Sequence, residues 1–207
     1  MHAPFERLGF DRRMTKEEIN SLPIRSYPGK IKVINTRDGL DKAVHELNKE
    51  SLLGFDTETR PNYLKGQDHL PSLLQLAGEK CVYLFQLKHL NFPEKLRKIL
   101  ETERIIKCGV AVDQDIIQLQ KITTFIDDGF VELSKVAKAS GIRNHGLRGM
   151  TAVLLGFRIS KSAQRSNWAT DILTEKQIRY AATDAWVGRE LYLILKEMGV
   201  IYHDIFL

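Results

Sequence analysis

The spacing of apolar residues changes period several times along the chain, and each change marks an element. Residues 30–34 (KIKVI) alternate, as in a strand with one buried face. Residues 37–50 then carry Leu40, Ala43, Val44 and Leu47 at helical spacing. The apolar run Leu52-Leu53-Gly54-Phe55 opens a short buried strand over 52–57, and Arg60-Pro61 stops it. Residues 73–77 and 81–85 flank Gly78-Glu79-Lys80, a hairpin signal. The pattern predicts a helix over 94–100, a short strand over 105–108 and an amphipathic helix over 112–122. From Phe130 onward it is almost wholly helical, over 131–139, 147–155 and 174–198, with a polar loop at 158–171.

Residues 1–29 mix polar side chains with Pro4, Pro23 and Pro28 and read as an arm. Within it, Thr15-Lys16-Glu17-Glu18 is a capping box, opening a short helix that ends before Pro23. Such an arm either packs on the domain or mediates self-association. Residues 30–207 then make one domain, without an internal repeat or linker. Hairpins and crossovers together predict an α/β fold, with a mixed central sheet flanked by α-helices.

Composition narrows this only a little. A length of 207 residues suffices for one sizeable core, and no apolar run reaches the ~18 residues of a membrane span. The N-terminus lacks the apolar stretch of a secretory signal. Cys81 and Cys108 each sit in a strand-like apolar run, which favours core positions over a disulfide and fits a cytoplasmic protein. A net charge of +5 allows a polyanionic partner without requiring one.

The chemistry enters with acids where a core should be. On a strand Asp56 and Glu58 share a face, at the mouth of an apolar run, where like charges repel and lose solvation. On the helix over 112–122, Asp115 falls on or beside the stripe of Val112, Ile116 and Leu119. On the last helix, Val187, Leu191, Ile194 and Met198 form a stripe whose N-terminal extension is Asp184 and then Tyr180. If the faces of these elements share one core, the four acids converge and need cations. Hard oxygen ligands, without a histidine cluster or cysteine pair, point to magnesium or manganese.

Asp56-Thr57-Glu58 on a strand, Asp115-Ile116-Ile117-Gln118-Leu119 on a helix and Tyr180-Ala181-Ala182-Thr183-Asp184 on the last helix resemble the DEDD exonuclease superfamily, tyrosine branch. Between them, Pro71–Ala77 resembles the family's strand after the first motif and Lys107-Cys108-Gly109-Val110 its approach to the second, while Ser166-Asn167-Trp168 followed by Leu173-Thr174 is similar to the Werner-type members, with ribonuclease D and polymerase proofreading domains as more distant kin. The histidine branch would place His five residues before Asp184, where Arg179 stands. The resemblance covers roughly residues 30–198. It implies a ribonuclease-H-like fold and 3′–5′ hydrolysis of nucleic acid to nucleoside 5′-monophosphates with two divalent cations, Mg2+ or Mn2+. It also implies roles. Asp56 bridges both ions, Glu58 and Asp184 complete the site of the water-activating one, and Asp115 holds the other. Tyr180, with a reference pKa of about 10, stays protonated and orients the attacking water.

The expected partner is nucleic acid with a free 3′ end, single-stranded or partly duplex, with DNA favoured and RNA possible. No membrane is expected as a partner. Arg158, Lys161 and Arg165 in the loop over 158–171 are candidate phosphate contacts, with a solvated loop as the alternative. Arg60, Arg143 and His145 are candidates on the same terms, the last two before a helix N-terminus. Thr59 departs from relatives that carry a bulky apolar wedge beside the glutamate. Trp168 reads as a packing residue. With no room for a helicase or polymerase, the expectation is an exonuclease domain behind a short arm. The alternatives are an inactive nucleic-acid-binding module on the same fold and a ribonuclease D-like enzyme directed at RNA.

Overall fold

In the computed structural model, which describes residues 12–62 and 66–201, six strands form one mixed sheet. They are β1 (Lys30–Ile34), β2 (Leu52–Thr59), β3 (Pro71–Ala77), β4 (Cys81–Gln86), β5 (Ile106–Gly109) and β6 (Phe130–Glu132). Their spatial order is β1-β4-β3-β2-β5-β6. β2, β3 and β4 are an antiparallel meander, and the Gly78 N–H closes its second turn on the Cys81 carbonyl at 3.0 Å. β1 joins β4 in parallel, and β5 and β6 extend the sheet in parallel beyond β2. The helices are α1 (Lys16–Ser21), α2 (Arg37–Leu47), α3 (Leu87–Leu90), α4 (Glu94–Glu101), α5 (Val112–Gln120), α6 (Leu133–Ala139), α7 (Leu147–Leu155) and α8 (Glu175–Glu197).

The sheet has an apolar layer on each face, and β2 divides its side chains between them. Leu53 and Phe55 pack with Leu40 of α2, Leu96 of α4 and Val112, Ile116 and Leu119 of α5. Leu52 faces the other way, where Ile106 and Cys108 meet Val187 and Leu191 of α8. Further along that second face Leu73, Ala77, Val82 and Leu84 pack on Ala181, Ala182 and Ala185 of α8. α5 and α8 cover opposite faces of the sheet, so the acids meet without the elements sharing one core. A residue period of two settles which side chains share a face, but not which helix covers it.

Two local elements differ from the sequence pattern. Phe130–Glu132 is a strand, not the start of a helical region, and its three half-buried residues are too short a run to show alternation. The single helical turn α3 follows β4 directly and ends at Asn91, which takes the left-handed conformation at φ 52. The two cysteines are buried and unbonded to each other.

The described part of the arm packs on the domain. Thr15 and Glu18 close the capping box, with the Glu18 N–H donating to Thr15 Oγ1 at 3.2 Å and the Thr15 N–H to Glu18 Oε2 at 2.7 Å. The Arg25 N–H donates to the Arg158 carbonyl at 3.0 Å, and the Arg158 N–H to the Pro23 carbonyl at 2.9 Å. The Tyr27 N–H donates to Thr183 Oγ1 at 3.0 Å, and the Tyr27 side chain enters the α8-side core. Residues 1–11 of the proposed arm lie outside the described residues.

Candidate active site

Asp56 and Glu58 lie on the α8 face of β2 because they continue the alternation of Leu52 and Gly54. Gly54 is what lets the helix come close. A Cβ there would stand 1.9 Å from the Ala185 carbonyl oxygen, so the backbone of α8 rests on the strand at that residue. Asp184, one residue earlier on α8, is thereby set beside the strand acids. One carboxylate oxygen each from Asp56, Glu58 and Asp184 lies within 4.8 Å of the others. Tyr180 stands one helical turn before Asp184, and its ring packs against buried Trp168 at 5.9 Å between centroids. Trp168 is thus the packing residue that its sequence context suggested.

Asp115 reaches the same strand end from the opposite face. Ala111, left-handed at φ 67, turns the chain into α5 and places Asp115 in the first turn. Thr57, between the two strand acids, points to that face, and its hydroxyl donates to Asp115 Oδ1 at 2.7 Å. The site thus assembles around the C-terminal end of one strand, fed from both sides.

Electrostatics mark these acids off from the rest of the chain. Burial holds the Asp56 carboxyl well above the usual carboxylate range, reinforced by Glu58, Asp115 and Asp184 and opposed by the Thr57 N–H. Burial, then the charges of Asp184 and Asp115, lift Glu58 to about 9. Burial lifts Asp115 to about 7 against the Thr57 hydrogen bond, with Glu132 adding to the rise. Burial lifts Asp184 to about 7, opposed by the neighbouring Tyr180 hydroxyl. The Tyr180 phenol is raised by burial and by Asp184 and Glu58, so it stays protonated at neutral pH.

These residues fit a divalent cation. Among the described residues no lysine or arginine is ion-paired with any of the four acids, and Asp184 Oδ1 is buried with no hydrogen-bond partner. Clustered hard oxygens lacking counter-charge are a donor set for a hard divalent cation. Asp56, Glu58 and Asp184 could hold one ion, with Asp115 beside them.

A cleft of about 780 Å³ runs against Tyr180 and Asp184. Arg143, His145 and Lys161 line it. The other three candidate cations do not. Arg60 is exposed just past β2 and Arg165 is exposed on its loop, while Arg158 turns its Nε to the Leu22 carbonyl at 3.0 Å. Sequence reasoning missed the other cations of the cleft, Arg13, Lys16 and Arg148. It missed Thr57 and Gly54 too. Only the spacing of Thr57 between two acids hinted at its place.

Residues 31–199 match the model of the 3′–5′ exonuclease family. The chain belongs to this family. It is 32% identical over 192 residues to the bifunctional 3′–5′ exonuclease/ATP-dependent helicase WRN of Mus musculus, a match covering 87% of this chain and 14% of that protein. The chain spans less than half the length of the first curated relatives it matches. Among solved structures it resembles the Aedes aegypti Nibbler EXO domain, with a TM-score of 0.76 at 23% identity over 87% of this chain and 95% of that one. It also resembles Escherichia coli RNase D, with a TM-score of 0.71 at 22% identity over 82% of this chain and 46% of that one. The fold is the ribonuclease-H-like one of 3′–5′ exonuclease domains. Among the described residues no helix is long and apolar enough to cross a membrane.

Proposed function

We propose that this chain is a metal-dependent 3′–5′ exonuclease of the tyrosine branch, removing nucleoside 5′-monophosphates from a nucleic-acid strand, with DNA favoured. The observation that carries this is the gathering of Asp56, Glu58, Asp115 and Asp184 at one strand end, without counter-cations among the described residues, beside a protonated Tyr180. The reaction is assigned to residues 30–207, with 1–29 as the arm. The free, buried cysteines support a reducing, cytoplasmic setting.

Two divalent cations, magnesium or manganese, would supply the acidity that makes hydroxide from water and would neutralise charge on the phosphoryl group. Asp56, Glu58 and Asp184 would hold them from the α8 face, and Asp115, fixed by Thr57, from the other. Tyr180 keeps its proton, so its hydroxyl donates to or orients the attacking water and does not abstract a proton from it. Trp168 limits the freedom of the Tyr180 ring and so narrows the water's position. Arg143 and Lys161 offer positive charge, and His145 a hydrogen-bonding imidazole, to the strand where the cleft meets Asp184.

The similarity to WRN favours DNA. The likeness to RNase D, which is described as an exoribonuclease, supports RNA as the second reading. The test presents 5′-labelled DNA and RNA of one sequence with magnesium or manganese, beside Asp56→Ala. A ladder shortening from the 3′ end, absent in the variant, is expected, and the faster strand identifies the polymer. Binding without a ladder on either strand would make the chain an inactive binding module.

A further inference from the structure

An enzyme that trims a strand from its 3′ end must seat the remaining strand, a polyanion, somewhere beyond the reacting nucleotide. The cleft at Tyr180 and Asp184 is one place the structure offers. Its volume of about 780 Å³ is that of a ligand-sized site. Among its described lining residues Asp184 is the sole carboxylate, whereas arginine and lysine come from three separate parts of the chain. One of those parts is the arm, through Arg13 and Lys16.

The arm is held there by specific contacts. Buried Asn144 grips the backbone of Met14 from both sides, accepting from its N–H at 2.8 Å and donating to its carbonyl at 3.2 Å. Arg148 donates to Asn20 Oδ1 at 2.6 Å, tying α1 to α7. Asn144 lies between Arg143 and His145, so one clamp fixes the arm and the loop against each other. Arg12 is spoken for, since it pairs with Glu18 at 2.8 Å. Arg13 and Lys16 are exposed and have no ion-pair partner among the described residues.

We infer that the arm is one wall of the substrate groove, and that Arg13 and Lys16 contact backbone phosphates of the strand upstream of the scissile bond. This rests on the exonuclease reading and adds to it a phosphate-binding surface contributed by residues outside the family match at 31–199. Phosphate contacts of this kind carry no sequence preference and are sensitive to salt.

The test compares the whole chain with the double variant Arg13→Gln, Lys16→Gln, using Lys42→Gln on the exposed side of α2 as a surface control. Values of kcat/KM are measured on 5′-labelled strands of two to twelve nucleotides over a range of salt. On long strands the double variant should lose on the order of tenfold at low salt, through KM. Its salt slope should flatten by about 0.7 for each contact removed. The loss should shrink as the strand shortens. A double variant that behaves like Lys42→Gln overturns the inference and leaves the exonuclease reading standing. An equal loss at every length, or a loss in kcat alone, also overturns it, because the arm would then act only through the fold. No turnover by the wild-type chain on any strand sinks the exonuclease reading, and the inference with it.

Discussion

The Thr57 hydroxyl donates a 2.7 Å hydrogen bond to Asp115, joining the two faces of the sheet at the end of one strand. Asp56 and Glu58, on either side of Thr57, face α8; Thr57 faces α5. An Asp-x-Glu strand therefore addresses three acids at once: two of its own and, through the middle residue, one from the opposite layer. Thr57→Val keeps the shape and removes the donor. Cleavage should fall by about 10–100-fold, with weaker metal affinity, while Thr57→Ser restores most of it. Kinetics and metal titration on both variants check this, and an unchanged Thr57→Val rate removes the positioning role.

Asp56→Ala should abolish cleavage while leaving the fold largely intact. It also removes a carboxyl that burial, and then its acidic neighbours, hold well above the usual carboxylate range, so the metal-free variant should melt above the wild type at pH 8. Ladder assays and thermal melts in chelator report the two halves separately.

Tyr180→Phe deletes a hydroxyl whose proton is held at neutral pH. Cleavage should slow by roughly 10–100-fold, within the usual reach of one positioned group, with metal affinity retained. A rate equal to the wild type would leave the water to be oriented by other groups.

Stability without metal should fall as pH rises. Asp115 and Asp184 are lifted from 3.8 to about 7, and Glu58 from 4.5 to about 9. Between those limits the native chain binds more protons than the unfolded one, so the stabilisation present below pH ~4 is lost progressively up to pH ~9. Magnesium or manganese, which prefer the ionised native site, should reverse the loss at neutral pH. Melting curves across this range, with chelator and with metal, test it. A flat profile in chelator contradicts the burial of the acids.

Gly54→Ala should destabilise the fold by about 1–3 kcal/mol or more, since the added methyl meets the Ala185 carbonyl and pushes α8 off the strand. Urea denaturation measures the loss. The surviving folded fraction should also bind metal more weakly, because Asp184 moves with the helix.

Period-two alternation puts Asp56 and Glu58 on one face of β2, and a four-residue step puts Tyr180 and Asp184 on one side of α8. These relations lie within single elements, where backbone geometry alone fixes which side chains are neighbours. The hairpin of β3 and β4 and the capping box of α1 were legible for the same reason: their signals are local. The sequence could not say that α5 and α8 take opposite faces of the sheet, or that Thr57 reaches across to Asp115. Nor could it say that Gly54 is a crossing point, or that Asn144 clamps an arm 130 residues away. Those depend on which elements pack together, and packing partners are chosen by the shape and apolar area of the whole domain, which no single stretch contains.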